Sequence, residues 1–280
     1  MPRITWPAPA KLNLMLRICG RRADGYHDLQ TVFQFIDRQD HLIFTPRDDD
    51  NIVLHNPVEQ LAPGSDLIFR AALLLRQATG CRQGIEIDLA KQIPLGGGLG
   101  GGSSDAATTL VALNRIWQTG LTTVQLAKLG ITLGADVPVF IHGHAAWAEG
   151  IGEILQEIQP PESWYLVLTP DCHVSTARIF ADPDLTRNSP RIRICDFLQG
   201  DRINDCLPVV RERYPQVAAA LDWLDRYATA RLTGTGACVF AAFAERAEAE
   251  AVYNQLPGTL HGFIARGINH SPLLDLIHAG

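Results

Sequence analysis

Pro94 to Ala107 reads PLGGGLGGGSSDAA, with six glycines in the seven positions from Gly96 to Gly102. Glycine at that density surrenders the restriction that side chains impose, so a fold keeps it where φ > 0 is needed or where something must approach the backbone closely. The residues that follow are equally informative. Ser103, Ser104 and Asp105 are good N-cap residues, and Ala106, Leu110, Leu113 and Trp117 recur at helical spacing, so the loop is expected to run into a helix N-terminus starting near Ser104. Such an end offers free N–H groups and the positive pole of the helix dipole, which makes phosphate the first candidate ligand.

Other glycine-rich loops fit less well. A nucleoside-triphosphatase P-loop needs Lys-Ser/Thr directly after its last glycine, and here Ser103 follows Gly102. Gly96, Gly98 and Gly101 match the dinucleotide pattern GxGxxG, but no acidic residue stands about 20 positions on to hold a ribose. A flexible linker is the remaining alternative by composition, and Pro94, the capping cluster and the amphipathic helix argue against it.

The chain has 280 residues and a mass of 30.7 kDa, enough for two domains of ordinary size. Hydrophobic residues make up 46% and charged residues 19%, a globular composition. The formal charge of −6 argues against a general nucleic-acid or membrane-surface binder while leaving room for a local basic pocket. No apolar run of membrane-spanning length appears, and MPRITWPAPAK lacks a signal-peptide core, so a cytoplasmic location is expected. Six scattered cysteines without CxxC read as buried free thiols. Asp48-Asp49-Asp50 reads as a solvated turn, and His142 and His144, with no third ligand apparent nearby in the chain, as loop residues.

AKLNLMLRI alternates as a strand does, with Leu12, Leu14, Leu16 and Ile18 on one face and Lys11, Asn13 and Arg17 on the other. A turn through Gly20, Asp24 and Gly25 leads to TVFQFID, and HLIFT, NIVLH and IEIDL are expected to be further short strands. SDLIFRAALLLRQATG is a helix with Ser65 or Asp66 as its cap and Gly80 as its stop. TTVQLAKLG predicts a short helix, and GADVPVFI starts at a tight turn. In the second half, WYLVLTP, LTGTGACVFAAF and GFIARGI carry strands, and RINDCLPVVRERY, PQVAAALDWLDRY and ERAEAEAVYNQL are helical. This suggests an α+β unit, with a domain boundary near residue 155 separating 1–155 from 156–280.

The glycine-serine loop, the Lys11 strand and the late LTGTGACVF together resemble the GHMP kinases, the family of galactokinase, homoserine kinase and mevalonate kinase. PAPAKLNLMLRICGRRADGYHDLQTVFQ, PLGGGLGGGSSDAA and LGADVPVF are more narrowly similar to the branch whose acceptor is 4-diphosphocytidyl-2-C-methyl-D-erythritol. The likeness runs from Trp6 to SPLLDL at Ser271–Leu276. It implies an α/β fold of two α+β domains, an N-terminal GHMP nucleotide-binding domain and a ferredoxin-like C-terminal domain, with the site between them. It also implies transfer of the ATP γ-phosphoryl group to the 2-hydroxyl of this small-molecule substrate, a step of the non-mevalonate isoprenoid pathway. Sister kinases acting on other alcohols, and a nucleotide-binding protein without turnover, are the competing readings.

Carried residue by residue, the resemblance makes Asp136 the general base and Lys11 its partner beside the acceptor hydroxyl. Without it, Asp136 would be read as a turn or N-cap aspartate and Lys11 as a solvent-facing strand residue. Pro94, Leu95, Gly96, Gly97, Gly98, Leu99, Gly100, Gly101, Gly102, Ser103 and Ser104 would cradle the ATP phosphates. Asp66 and Leu67 would form part of the adenine pocket, and Lys91 would offset negative charge on the nucleotide. Asn13, Tyr26 and His27, with Thr176 and Phe180, would hold the cytidine and erythritol portions. Gly234, Thr235 and Gly236 would close the site. ATP chemistry brings Mg²⁺, for which Ser104 is a candidate contact and the other ligands are unassigned.

Overall fold

The computed structural model describes residues 4–56 and 64–278. In chain order it contains β1 (Thr5–Arg21), β2 (His27–Arg47), β3 (Ile52–His55), α1 (Leu67–Thr79), β4 (Gly84–Ala90), α2 (Gly101–Ile116), α3 (Thr123–Gly130), α4 (Val137–His142), β5 (Ala146–Gly150) and β6 (Ile154–Glu157). The second half follows with β7 (Trp164–Leu168), α5 (Thr176–Ala181), α6 (Ile194–Leu198), α7 (Leu207–Arg213), α8 (Pro215–Leu224), β8 (Arg231–Leu232), β9 (Val239–Phe243), α9 (Arg246–Tyr253), β10 (Gly262–Ile268) and α10 (Pro272–His278). Residues 1–3 of the N-terminal stretch lie outside the described residues.

The first half is organised around β2. TVFQFID and HLIFT, expected as separate strands, are one continuous strand of 21 residues. Its length lets β1 pair antiparallel along one edge, with register shifts at Pro9/Ala10, Asn13/Met15 and Ile18/Gly20. The other edge is shared by β5 over Leu29–Phe33, by β10 at Phe35 and Ile36, and by β4 over His41–Arg47. Helices α1 and α2 pack on this sheet through Ile68, Ala71, Ala72, Leu75, Leu110 and Leu113, all buried. Asp66 caps α1 by accepting from the Ile68 N–H at 2.8 Å, and Gly80 ends it in the left-handed conformation. Thr122 and Gln125 form a capping box for α3.

The second half runs β7-helices-β8-β9-α9-β10, and its antiparallel strands stand in the order β10-β7-β9-β8. Numbered from β7, that order is 4-1-3-2, the split βαβ arrangement of ferredoxin-like folds. The buried apolar residues form three clusters. One is drawn from the first half together with Leu273 of α10, and one from the second half together with Leu16 and Ile18 of β1. The third joins the halves through Leu12, Leu14, Leu99, Val167, Cys238 and Phe240. Both faces of β1 are therefore covered, so Lys11 and Asn13 are buried where a solvent-facing side would be expected for an alternating strand.

The six cysteines are all free, but only Cys206 and Cys238 are buried; Cys195 is exposed and the others are half-buried. Asp49 of the acidic triplet pairs with Arg47 in a turn between β2 and β3, as a solvated turn should. Among the described residues no helix is long and apolar enough to cross a membrane.

Candidate active site

A cleft of about 720 Å³ opens between the halves, within the range of small-molecule sites. The glycine loop forms its floor. Helix α2 starts at Gly101, earlier than the caps expected at Ser103–Asp105, because Gly100 turns the chain at φ +73° and serves as the N-cap without a side chain. The first intrahelical bond runs from the Ser104 N–H to the Gly100 carbonyl. The N–H groups of Gly101, Gly102 and Ser103 consequently have no helical acceptor, and all three residues line the cleft. Ser104 points the other way. It is fully buried, does not line the cleft, and its Oγ has no hydrogen-bond partner.

Much of the close backbone approach that the glycines permit comes from the protein itself. The Cys238 N–H donates to the Gly97 carbonyl at 3.1 Å, and the Ala237 N–H to the Gly96 carbonyl at 3.4 Å. The Gly98 carbonyl accepts from the Thr233 hydroxyl at 3.1 Å. A Cβ on Gly97 would stand 2.4 Å from Cys238 Sγ. LTGTGACVF is thus packed against the glycine loop, and Asn204 Nδ2 anchors it by donating to the Leu232 and Gly234 carbonyls, each at 2.9 Å.

Lys11 joins this floor to the candidate base. Its side chain is 3% exposed, and Nζ donates to Asn13 Oδ1 at 2.5 Å and to the Gly98 carbonyl at 2.9 Å. The same ammonium forms an ion pair with Asp136, 3.3 Å from its Oδ2. Asn13 is fixed in turn, its Nδ2 donating to Thr31 Oγ1 at 2.9 Å and its N–H to Thr233 Oγ1 at 3.0 Å. Asp136 occupies the N-cap position of α4 but makes no capping bond, which leaves its carboxylate free to face the cleft at 34% exposure. Among the described residues it is the only carboxylate that lines the cleft.

The far wall carries the aromatic groups. The His27 and Phe180 rings stack with centroids 5.1 Å apart, and Tyr26, 58% exposed, stands beside them in the chain. Thr176 Oγ1 and Thr235 Oγ1 share a hydrogen bond of 2.9 Å across the mouth. Burial holds His27 below its ordinary pKa, with the Arg187 and Arg21 charges acting the same way, so the ring is neutral at pH 7. Arg187 Nε donates to His27 Nε2 at 3.3 Å, which leaves the proton on Nδ1. Arg187 had no signal in the sequence. It is held by the Leu185, Phe180 and Asp182 carbonyls, partners that only the folded loop supplies.

Two expected nucleotide residues have other partners. Asp66 does not line the cleft; its Oδ1 caps α1 while its Oδ2 is buried without a hydrogen-bond partner, whereas Leu67 does line the cleft. Lys91 lines the cleft, but its Nζ is bonded to Asp40 Oδ2 at 2.5 Å and Asp105 Oδ2 at 2.7 Å. Burial alone would lower the Lys91 pKa, but the Asp105 and Asp40 charges outweigh it and raise it. Burial pushes the Asp105 carboxyl up from 3.8 to about 7, Asp40 adding to the rise and Lys91 opposing it.

The Asp105 shift has a sign that can be checked. Between its ordinary pKa and about 7 the folded chain holds a proton on Asp105 that the unfolded chain releases, so this group's contribution to stability is lost as pH rises through that window. Asp105→Asn is expected to remove that dependence. Melting temperatures of both proteins from about pH 5 to about pH 8 should diverge in the variant's favour, and a constant difference would contradict the assignment.

Comparison with known proteins agrees in fold and sequence. The family model described as GHMP kinases N terminal domain matches residues 66–144, and that described as GHMP kinases C terminal matches residues 191–262. A curated protein of Shewanella loihica named 4-diphosphocytidyl-2-C-methyl-D-erythritol kinase is 59% identical over 96% of this chain and 95% of its own. Its namesake from Nitrosococcus oceani is 55% identical over 98% of each. A crystal structure of 4-(cytidine 5'-diphospho)-2C-methyl-D-erythritol kinase superimposes with a TM-score of 0.81 at 29% identity, covering 94% of this chain and 99% of the other. A mevalonate kinase structure, at 15% identity and a TM-score of 0.70 over 95% of this chain and 100% of its own, shares the fold.

Proposed function

The chain belongs to the GHMP kinase family, in its 4-diphosphocytidyl-2-C-methyl-D-erythritol kinase branch, and we propose that its own residues perform the transfer in the cleft described above. The reaction moves the γ-phosphoryl group of ATP to the 2-hydroxyl of 4-diphosphocytidyl-2-C-methyl-D-erythritol, giving the 2-phosphate and ADP for isoprenoid precursor synthesis. The observation that carries the residue assignment is the Lys11–Asp136 contact, which places a carboxylate and an ammonium beside an uncapped helix N-terminus in one cleft.

In this reading the N–H groups of Gly101, Gly102 and Ser103 bind phosphate oxygens. The substrate hydroxyl approaches the γ-phosphorus in line and gives its proton to Asp136. The new O–P bond forms as the bond to the ADP oxygen breaks, and ADP leaves. Lys11 stabilises negative charge developing on the transferring group. Because its ammonium also holds the Gly98 carbonyl, it sets the distance between the phosphate loop and the base. Lys91, tied to two carboxylates, orients the start of α2 through Asp105.

The lining residues suit Mg²⁺ carried on ATP. One hydroxyl, Ser103, at the start of α2 is what a cation needs from the protein when most of its ligands are water and phosphate oxygens. When bound, it would neutralise charge on the phosphates. Ser103 replaces Ser104 as the serine proposed to serve it, since Ser104 is turned into the core.

His27, neutral with Nδ1–H, is a donor for an acceptor on the cytosine edge, and Tyr26 and Phe180 supply apolar faces for the base. His27→Ala is expected to raise KM for the cytidine substrate roughly 10- to 100-fold, with KM for ATP little changed. Equal changes in both would remove the assignment. Arg187→Met should reproduce part of this effect by freeing the imidazole tautomer.

We further treat 1–155 and 156–280 as the two domains, with α10 folded back onto the first, and place the protein in the cytoplasm as an enzyme of small molecules without a nucleic-acid or membrane partner. The decisive experiment is an ADP-release assay with Mg-ATP, comparing the cytidine substrate with mevalonate, homoserine and galactose and locating the new phosphate by phosphorus NMR. Transfer to the 2-hydroxyl of the cytidine substrate alone is expected. Turnover of a different alcohol would refute the substrate assignments.

A further inference from the structure

His144, Glu157 and His270 come from three chain segments and meet on one face, away from the cleft. The register explains why. Glu157 pairs with Ala146 across the β5–β6 ladder, and His144 is two residues before Ala146, so both side chains leave the same face. His270 stands opposite His144 in an isolated antiparallel bridge. The backbone is pinned on both sides of this bridge: the Ala145 N–H donates to the Asn269 carbonyl at 2.8 Å, and the Ser271 N–H to the Gly143 carbonyl at 2.9 Å. The Ile158 N–H adds a bond of 3.0 Å to the Ala145 carbonyl, fixing the end of β6.

The side chains do not satisfy one another. His144 Nδ1 is shut off from solvent and has no hydrogen-bond partner. Its distance to Glu157 Oε1 is 3.5 Å, too long for a good hydrogen bond. It is close to the separation of about 3.4 Å between two ligands of one tetrahedral zinc ion with bonds near 2.05 Å. The His144 and His270 rings sit edge to face with centroids 4.5 Å apart, and the three ligand atoms lie within 4.8 Å of one another.

We propose that His144, Glu157 and His270 form a site for a single divalent transition-metal ion of the Zn²⁺ class, clipping the β5–β6 hairpin to the C-terminal segment that leads into α10. Two imidazoles and one carboxylate are a borderline donor set that suits Zn²⁺, Ni²⁺ or Co²⁺ better than Mg²⁺ or Ca²⁺, which take oxygen ligands. Three protein ligands leave a coordination position for water. His142, expected with His144 as a loop residue, ends α4 instead and is not among the ligands. The site stands apart from phosphoryl transfer, since none of its ligands lines the cleft.

The test is titration of the metal-free full chain with ZnCl₂, without nucleotide, followed by calorimetry and thermal melting. One Zn²⁺ per chain is expected, with Tm raised by about 5 °C or more at a hundredfold excess over Kd. Co²⁺ bound in its place should give visible d–d absorption. His270→Ala, at an exposed position, and Glu157→Gln should each abolish the Tm shift and the Co²⁺ bands while leaving turnover with Mg-ATP intact. No uptake by the wild-type chain, or equal uptake by the wild type and the His144→Ala/His270→Ala double variant, would overturn the proposal.

Discussion

Asp136→Asn is expected to lower turnover by roughly 10²- to 10⁴-fold while leaving the affinity for ATP nearly unchanged. Asparagine keeps the size and one acceptor oxygen of the side chain, so Lys11 retains a partner at 3.3 Å and the loop–base spacing survives. What is lost is the anion that takes the hydroxyl proton. Because Asp136 makes no capping bond in α4, the substitution costs that helix little, and a large drop in activity cannot be assigned to misfolding. Calorimetric binding of ATP and an ADP-release assay on the same preparation separate the two effects. ATP consumption unchanged in the variant would remove Asp136 from the role of general base.

The second large effect is placed where no substrate is needed to see it. Gly98 has φ +74°, and a Cβ there would fall 2.3 Å from the Thr233 carbonyl oxygen and 3.2 Å from that of Gly236. Gly98→Ala therefore has to part the glycine loop from the turn of the second half. It also has to pull the Gly98 carbonyl from Lys11 and Thr233. A loss of roughly 3 kcal/mol is expected, lowering Tm by about 6–12 °C and raising KM for ATP. Gly102 supplies the control. It lies within α2 and its Cβ would meet only Leu67 Cδ1, at 3.5 Å, so Gly102→Ala should leave Tm unchanged or slightly higher. Equal losses of stability in both variants would show that packing against the 233–236 turn is not what the loop is for.

These two positions differ in how far the sequence alone could reach. The glycine run, the alternation around Lys11 and the Asp66 and Gly80 caps are recorded within a few neighbours, because helix ends and strand faces are set by bonds between residues close in the chain. These local signals were enough to place most helices and strands, and the spacing of three motifs was enough to indicate the family. The extent of β2 was not legible, since a strand of that length is sustained by four different partners and not by its own residues. The start of α2 was misplaced by the serines, because a glycine in the left-handed conformation ended the loop before a side-chain cap was needed.

The contacts that carry chemistry were decided by the tertiary structure. Lys11 meets Asp136 across 125 positions, Gly98 meets Thr233 across 135, and Arg187 meets His27 across 160. None of these pairs has a periodicity or a local bond to announce it. Burial then changed what the residues could do: it turned a strand lysine into a link between the glycine loop and Asp136, tied Lys91 to two carboxylates, and brought two histidines and a glutamate from separate segments onto one face. Sequence by itself determined the elements, the family and the residue types available for phosphoryl transfer. Which of those residues face the cleft, which are neutralised by a partner and which stand together was settled only by packing, because charge pairing and ligand geometry depend on distances in space that the order of residues does not encode.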